Sequence, residues 1–379
     1  MNSEELAKNI RAYRTLRGMT QTEIARRLFV TPQTVSKWEK GGAIPDLTNL
    51  CHLAEILSVT PDRLLGAGAT TAREKQYLGI DGGGTKTDLV LFTENGTVLK
   101  RKRVGGSNPN THGFDTAKDH LLEGIEEISE GVITGIFAGI AGITAGNHLD
   151  RMTATLRKCL PGTTVAMGSD IENVIFSVRG VDRCVAMICG TGSAVFAYRD
   201  NTLKRFGGYG YLFDGAGSGY DLGRDAITAC MEAEDGLRKP SALTDLVEQQ
   251  LGGKPWAQLD RLYAGGKNAI AAFAPTVFDA YRAGDPAAEA ILRNNFARVA
   301  RIAKHAQEAC DCGDTVICAG GLTSQKEILS RFFAEFGLEN LLYPDKPPVY
   351  GACARCADLM GIPTDPAEFD RNFFRTLPE

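Results

Sequence analysis

The sequence lacks the features that mark secreted, membrane and fibrous proteins. No hydrophobic run approaches the roughly 18 apolar residues that a membrane-spanning helix needs, and low-complexity segments are absent. The opening residues MNSEELAKNIRAYR are polar, unlike a secretion leader. We therefore expect a globular, cytoplasmic protein with no membrane partner, whose ten cysteines remain thiols.

An excess of charge of one sign is also missing. The 379 residues carry 42 basic and 46 acidic side chains, a net charge of −4. Residues 1–68 hold nine basic and seven acidic side chains, a charge of +2, and the rest of the chain carries −6. This balance excludes a protein that coats nucleic acid with its whole surface, but it leaves the N-terminal part free to bind DNA.

Three blocks follow one another along the chain. Residues 1–66 have the pattern of short helices, and 67–76 (AGATTAREKQ) that of a linker without apolar periodicity. The remainder alternates short β-branched runs, glycine turns and amphipathic helices, which is typical of an α/β fold. We predict two lobes there, at 77–180 and 181–362, and a tail at 363–379.

The first block contains two clear helix starts. Thr20 with Glu23 three residues later forms a capping box, and Thr31 followed by Pro32 starts the next helix. Two short helices across a tight turn, the second exposing amides and hydroxyls, suit reading of the DNA major groove. A helical protein-interaction module is the alternative.

The stretch from MTQTEIARRL through TVSKWEKGG to PDLTNL resembles the Cro/repressor-type (XRE) helix-turn-helix family. The resemblance implies an all-α domain that binds double-stranded DNA. Because one such domain contacts only one half-site, we expect a homodimer on a palindromic operator. It places the DNA contacts on Gln21, Gln33, Thr34, Ser36 and Lys37, with Arg11, Arg14 and Arg17 as further phosphate partners.

Glycine loops organise the second block. A short strand ends in Asp81, and Gly82 to Thr87 follow before DLVLF, which has the pattern of a second strand. The spacing fits neither a Walker A loop nor a dinucleotide fingerprint, so we predict a β-hairpin turn whose amides and hydroxyls face phosphate. Asp81 could hold Mg²⁺ through water. The predicted phosphate-binding residues of this turn are Gly83, Gly84, Thr85, Lys86 and Thr87.

Two later segments extend this pattern. A second strand–loop–strand unit has its turn at Gly190, Thr191, Gly192 and Ser193, which suggests two related lobes. In TVICAGGLTSQKEIL, Gly320 and Gly321 let the backbone pass close to a flat adenine ring. Together the three segments resemble the phosphate-1, phosphate-2 and adenosine motifs of the two-lobed actin-like ATPase superfamily of sugar kinases, Hsp70 and actin.

Within that superfamily the chain resembles the BadF/BadG/BcrA/BcrD ATPase family, in particular its N-acetylglucosamine-kinase-like branch. The supporting stretches are GIDGGGTKTD, GGSNPNTHGF, FAGIAG, SDIENVIF, ICGTGSAVF and GGYGYLFDGAGSGYDLGRDA. The resemblance implies an ATP- and Mg²⁺-dependent kinase that transfers the γ-phosphoryl group to a hydroxyl of an amino sugar.

The same resemblance assigns the remaining site residues. Asp170 falls on the family's catalytic base, although a helix N-cap is the alternative. Asn173 would orient Asp170 or the sugar, and Asn108 would contact the sugar. Gly208 and Tyr209 fall where the family has Gly-Trp beside the sugar.

One departure weakens the prediction of turnover. Relatives carry an acidic pair before Gly-Ser, whereas this chain has only Asp214, followed by Gly215 and Ala216. A sugar- or ATP-sensing regulator without catalysis therefore remains an alternative. A dehydratase-activator type of ATPase, with a cluster on Cys310-x-Cys312 or Cys353-x-x-Cys356, is a third.

Overall fold

The computed structural model describes residues 3–57, 59–66, 75–129, 131–214 and 217–378. The chain divides into two compact units. The first contains residues 1–179 and 346–379, and the second contains residues 180–345. Most of the predicted linker, 67–74, lies outside the described residues.

Five short helices form the N-terminal part of the first unit, around a core that includes Ile10, Ile24, Val35 and Trp38. They are α1 (Ser3–Leu16), α2 (Gln21–Leu28), α3 (Pro32–Glu39), α4 (Leu47–Ile56) and α5 (Pro61–Leu65). Both predicted helix starts are confirmed. Thr20 and Glu23 form a complete capping box, and the Thr31 side chain accepts a hydrogen bond from the Thr34 amide.

A five-stranded sheet with the order β3-β2-β1-β4-β5 forms the rest of the first unit. Its strands are β1 (Gln76–Gly82), β2 (Lys86–Thr93), β3 (Val98–Gly105), β4 (Ile133–Ile140) and β5 (Thr164–Gly168). β1, β4 and β5 are parallel, while β2 and β3 join them as an antiparallel meander. The carboxyl ends of the three parallel strands therefore meet at one edge of the sheet.

Helices cover both faces of this sheet over two apolar clusters. They are α6 (Pro109–His112), α7 (Phe114–Ile128), α8 (His148–Cys159), α9 (Asp170–Ser177), α16 (Pro348–Leu359) and α17 (Pro366–Thr376). The α16 helix packs tightly because glycines line its contacts. A Cβ on Gly79 would lie 2.4 Å from Cys353 Sγ, and one on Gly351 would lie 1.7 Å from the Asn173 carbonyl oxygen.

The second unit repeats this topology. Its sheet has the order β10-β9-β6-β7-β8, with the antiparallel and parallel pairs in the same places as in the first sheet. The strands are β6 (Arg183–Cys189), β7 (Ser193–Arg199), β8 (Thr202–Phe206), β9 (Val316–Ala319) and β10 (Leu341–Leu342). The two strand–loop–strand units seen in the sequence are thus the central hairpins of two related sheets.

A helical layer packs against this second sheet around a core that includes Phe278, Phe296 and Phe333. The helices are α10 (Gly219–Glu234), α11 (Ala242–Leu251), α12 (Leu259–Ala271), α13 (Ala274–Arg282), α14 (Pro286–Cys310) and α15 (Lys326–Glu335). Short 3₁₀ turns occupy Pro255–Gln258 and Gly321–Gln325.

The observed boundaries differ from the predicted ones in two places. Residues 346–362, which we placed in the second lobe, belong to the first unit. The reason is that α16 packs on β1 and α9, a long-range contact that local sequence pattern does not reveal. The first strand also begins at Gln76, inside the predicted linker.

Among the described residues, no helix is long and apolar enough to cross a membrane. All ten cysteines are free thiols, and eight of them are buried.

Candidate functional site

The β1–β2 turn joins the first glycine loop to the predicted sugar segment. The Gly83 amide donates to the Lys86 carbonyl oxygen at 2.9 Å and closes the turn. The Gly83 carbonyl oxygen accepts from the amides of Ser107 (3.1 Å) and Asn108 (3.2 Å). Thr85 is exposed at the turn, as is Lys86. The tip of the loop is therefore accessible and its base is fixed.

Thr87, which we predicted to face phosphate, lies instead inside the protein. Its side chain is fully buried, and its hydroxyl donates towards the Gly105 carbonyl oxygen (2.8 Å) and Ser107 Oγ (2.9 Å). Because the hydroxyl is bonded inside the sheet, Thr87 holds the loop against the segment that follows β3. Thr85 and Lys86 are the exposed residues of this loop.

Asp81 lies at the carboxyl end of β1, where register aligns it with Gly139 of β4 and, through β4, with Gly168 of β5. Burial raises the pKa of the Asp81 carboxyl to about 6, and the nearby negative charge of Asp170 also raises it. The Asn173 amide opposes this shift by donating to Asp81 Oδ1 at 2.7 Å.

Asn173 is fully buried on α9 and also donates to the Gly139 carbonyl oxygen at 3.0 Å. Its Oδ1 has no hydrogen-bond partner, and a Cβ on Gly139 would lie 2.1 Å from that atom. The residue that we predicted beside Asp170 or the sugar therefore lies behind Asp81, which it orients. This burial leaves it no surface for a sugar.

Asp170 is half-buried at the first position of α9. The alternative that Asp170 is the N-cap is wrong, because the preceding Ser169 caps the helix through its side chain. Ser169 Oγ donates to Asp170 Oδ1 at 3.0 Å. Asp170 thus follows β5 at the same sheet edge where Asp81 ends β1.

The predicted sugar segment forms α6 and its cap. Asn108 Oδ1 accepts from the Asn110 amide at 2.9 Å, and Asn110 donates through its side chain to the Gly142 carbonyl oxygen at 3.1 Å. His112 Nε2 lies 2.6 Å from the Gly84 carbonyl oxygen. Within the first unit, the structure therefore brings together the glycine turn, Asp81, Asp170 and the half-buried Asn108.

In the second unit, the predicted phosphate and adenosine segments meet each other. The Gly190 amide closes its turn on the Gly192 carbonyl oxygen at 2.9 Å, and Thr191 and Gly192 are exposed. The Gly219 amide, at the start of α10, donates to the Gly190 carbonyl oxygen at 2.7 Å. Ser193, the last residue predicted here, begins β7 and is half-buried.

Gly320 packs directly on this turn. Its φ is +108°, and a Cβ there would lie 2.5 Å from the Cys189 carbonyl oxygen. Gly321 is exposed, and a Cβ there would meet nothing within 4 Å. Packing therefore requires a glycine at position 320, where a side chain would not fit. At Gly321 the backbone is exposed and has free space around it.

The loop that carries Gly208 and Tyr209 is held by its own polar groups. Asp214 accepts hydrogen bonds from the amides of both residues, and Arg205 donates to the carbonyl oxygens of Gly207 and Gly208. Tyr209 is 67% exposed and lies under the Arg205 guanidinium. A cavity of about 530 Å³ lies beside this loop. Gly215, which stands in place of the second acid of the pair, and Ala216 lie outside the described residues.

Gln33 and Lys37 are exposed on α3, and Thr34 and Ser36 are half-buried there. Gln21 is half-buried and donates to Glu39 at 2.7 Å. The predicted DNA-contact residues thus lie on α3 and at the start of α2.

Two arginines predicted as phosphate partners are engaged within the protein. Arg14 pairs with Glu39 and donates to the Met19 carbonyl oxygen. Arg17 pairs with Glu126 of α7 and donates to the Leu57 carbonyl oxygen at 3.1 Å. The pairing with Glu126 ties the helix-turn-helix part to the first sheet domain.

No cluster of three or more histidine, cysteine or acidic side chains that could hold a metal exists in the described part of the chain. Cys353 and Cys356 lie buried on α16, where burial raises both thiol pKa values. An iron–sulfur cluster takes four ligands, and no third ligand lies beside these two cysteines among the described residues. Mg²⁺ needs only one or two carboxylates beside nucleotide phosphates, and Asp81 with Asp170 fits that requirement.

Sequence reasoning missed several supporting residues. Ser107 bonds Thr87, while Glu172 pairs with the buried Arg355 of α16 at 3.3 Å and so ties α9 in place. No local sequence signal marks these pairs. Ser218 and Asp221 form a capping box at the start of α10, and the S-x-x-D spacing could have revealed it.

The sequence profile of the BadF/BadG/BcrA/BcrD ATPase family matches residues 78–353, and a helix-turn-helix profile matches residues 10–64. An N-acetylmuramic acid/N-acetylglucosamine kinase of Clostridium acetobutylicum is 26% identical over 71% of this chain and 92% of its own length. An N-acetyl-D-glucosamine kinase of Dictyostelium discoideum is 28% identical over 46% of this chain, and the match spans only 60% of that kinase.

A solved structure of a proposed N-acetylglucosamine kinase from Chromobacterium violaceum is also similar. It is 25% identical, with a TM-score of 0.57 over 75% of this chain and 99% of that chain. The predicted fold class, an all-α helix-turn-helix domain followed by a two-lobed, actin-like sugar-kinase fold, is confirmed. With its paired sheets, glycine hairpins and matched profile, the chain belongs to the BadF/BadG/BcrA/BcrD ATPase family and carries an N-terminal helix-turn-helix domain.

Proposed function

We propose that this protein is a DNA-binding regulator with an ATP-dependent amino-sugar kinase activity. The observation that carries the proposal is the placement of Asp81 and Asp170 at the carboxyl edge of β1, β4 and β5, beside the glycine turn and Asn108. Ligands of open α/β sheets bind at such an edge. The activities named for the relatives support a sugar hydroxyl as the acceptor.

Phosphoryl transfer needs positioning, charge neutralisation and a group that takes the hydroxyl proton. The Gly84 amide would face the phosphates together with Thr85 and Lys86. Asn108 would orient the sugar. In the second unit, Gly190 to Ser193 would contact phosphate, and Gly320 with Gly321 would contact adenine.

Asp170 would act as the base. The sugar hydroxyl oxygen attacks the γ-phosphorus, the bond from that phosphorus to the bridging oxygen breaks, and ADP leaves. The hydroxyl proton passes to the Asp170 carboxylate. Mg²⁺, when bound, neutralises phosphate charge, and Asp81 is the residue that would hold it, directly or through water. Asn173 fixes the Asp81 carboxyl for this role through the 2.7 Å hydrogen bond.

The test is ADP release from ATP in the presence of N-acetylglucosamine or glucosamine. Asp170→Asn keeps the shape of the side chain but removes the base, so we expect kcat to fall about 10²–10⁴-fold. Asp115→Asn, at an exposed position on α7, is the matched control and should leave kcat unchanged. Turnover that survives in Asp170→Asn would reject Asp170 as the base.

A second candidate function is a sugar-responsive regulator with little or no turnover. Two observations favour it. Of the acidic pair that relatives carry, only Asp214 is kept, and Arg17 of the helix-turn-helix part is bound to Glu126 near the end of α7. The start of the same helix follows the predicted sugar segment, so α7 links that segment to the DNA-binding part. Ligand binding to the first unit could then change DNA affinity.

A further inference from the structure

The C-terminal helix α17 lies beyond the matched family segment, which ends at residue 353, and the kinase chemistry does not use it. It docks on the first unit, with Phe369 and Phe373 buried. The chain passes between the two units at only two points, after Arg179 and before Lys346. Both of these residues contact α17.

One carboxylate on α17 binds both crossing points. Asp370 Oδ2 accepts from Lys346 Nζ at 2.6 Å, and Asp370 Oδ1 lies 3.5 Å from Arg179 Nε. Tyr350 completes the cluster, since its hydroxyl donates to Asp370 and accepts from Arg179 Nε at 2.7 Å. Arg179, at one connection between the units, and Lys346, at the other, are therefore joined through the side chain of Asp370.

The setting strengthens these contacts. The side chains of Arg179, Lys346 and Asp370 are only about a quarter exposed. The Arg179 guanidinium lies 4.9 Å from the Phe369 ring centroid, and Lys346 Nζ lies 4.6 Å from that of Tyr350. Water screens such partly buried charges less than exposed ones, and removing one partner leaves the other charges uncompensated.

We propose that Asp370 is a positioning residue that clamps both connections between the two units. Movement of one unit against the other must bend these two segments, because no other part of the chain joins them. Domain closure around ligands depends on such hinge residues. The clamp stands on the contacts alone, while its effect on turnover rests on the proposed kinase function.

Other contacts hold α17 at a distance from the cluster and provide a matched control. The Val98 amide donates to Thr376 Oγ1 at 2.8 Å, and Asn372 donates to the Asn95 carbonyl oxygen at 2.9 Å. Thr376→Val removes one docking hydrogen bond but leaves Asp370, Arg179 and Lys346 in contact.

Hydrogen exchange of the full chain tests the clamp directly. In Asp370→Asn we expect amide exchange to rise about tenfold or more both around residues 177–182 and around 344–349. In Thr376→Val the increase should be confined to the region of residues 97–99 and the end of α17. Lys346→Gln is a second variant, expected to act like Asp370→Asn if the latter folds poorly.

Two outcomes would overturn the proposal. The first is amide exchange in Asp370→Asn that equals that of the wild type at either connection. The second is faster amide exchange in Thr376→Val at both connections.

Steady-state kinetics adds a second readout. Loss of the clamp should raise KM for sugar about fivefold with kcat within twofold, since fewer molecules are competent to bind. A merely structural role would lower kcat at constant KM. If the wild type has no turnover, the kinase function fails while the exchange experiment still decides the clamp.

Discussion

At the scale of single residues, the magnesium-binding role proposed for Asp81 and the burial of its carboxyl oppose each other. A group that holds Mg²⁺ must be ionised, yet burial raises the pKa of this carboxyl to about 6. The hydrogen bond from Asn173 lowers the pKa and so partly offsets the burial. Functional carboxylates often carry such shifts because the site, rather than stability, determines their surroundings.

Asp81→Asn should therefore stabilise the protein in a pH-dependent way. The pKa of Asp81 is higher in the folded protein (about 6) than its ordinary value of 3.8. Its stabilising contribution is thus fully present below pH 3.8 and is lost as the pH rises through about 6. The asparagine does not titrate and can still accept from Asn173.

Chemical denaturation of both proteins between pH 4 and pH 7 measures the effect. We expect the free energy of unfolding of Asp81→Asn, relative to wild type, to grow on the order of 1–3 kcal/mol over this range. ATP turnover should be lost at every pH. A stability difference that is the same at pH 4 and pH 7 would contradict the shifted pKa.

At the scale of elements, the two central hairpins occupy equivalent places in their sheets but are supported differently. Ser107 and Asn108, which follow β3, brace the β1–β2 turn. The start of α10 and the close backbone of Gly320 brace the β6–β7 turn.

Gly320→Ala should destabilise the second unit strongly. An alanine at φ +108° is strained, and its Cβ would lie 2.5 Å from the Cys189 carbonyl oxygen. We expect a loss of about 2–4 kcal/mol in the free energy of unfolding. Gly321→Ala is the neighbouring control, because nothing lies within 4 Å of its Cβ, and it should change stability by less than about 1 kcal/mol. Equal losses in the two variants, measured by thermal unfolding, would reject the packing explanation.

At the scale of the whole molecule, Arg17 and Glu126 connect the DNA-binding part to the sheet domain. The bond is about a quarter exposed, and it joins the end of α1 to α7. A single chain presents one recognition helix, so binding to a palindromic operator would require two chains.

Glu126→Gln should reduce the effect of sugar binding on the affinity for the operator. If the regulator function is correct, N-acetylglucosamine shifts the operator Kd of the wild type, and we expect that shift to fall towards onefold in Glu126→Gln. Glu127→Gln is the matched control, since Glu127 pairs with Lys102 of β3 at 2.5 Å rather than with the DNA-binding part.

Fluorescence anisotropy with an operator selected from random duplexes measures these values. Gln33→Ala should weaken binding by about 1–3 kcal/mol without changing the sugar-induced shift. A full shift retained in Glu126→Gln would show that coupling does not pass through this contact. No shift in the wild type would reject the regulator function itself.

Several local features of this protein could be predicted from its sequence. The capping box at Thr20 and the turn at Gly83 are stabilised by hydrogen bonds between residues only a few positions apart. The repeated glycine hairpins predicted two related lobes, while the fold class came from the resemblance of the motifs to known families.

Only the tertiary structure decided which of the chemically suitable residues reach the surface. Thr87 and Asn173 have the right chemistry for a site, but the packing of β2 and α9 buries both. The return of residues 346–362 to the first unit and the bond from Asp370 to Arg179 join segments far apart in the chain. Such contacts depend on how whole elements pack, and no local pattern of the sequence encodes them.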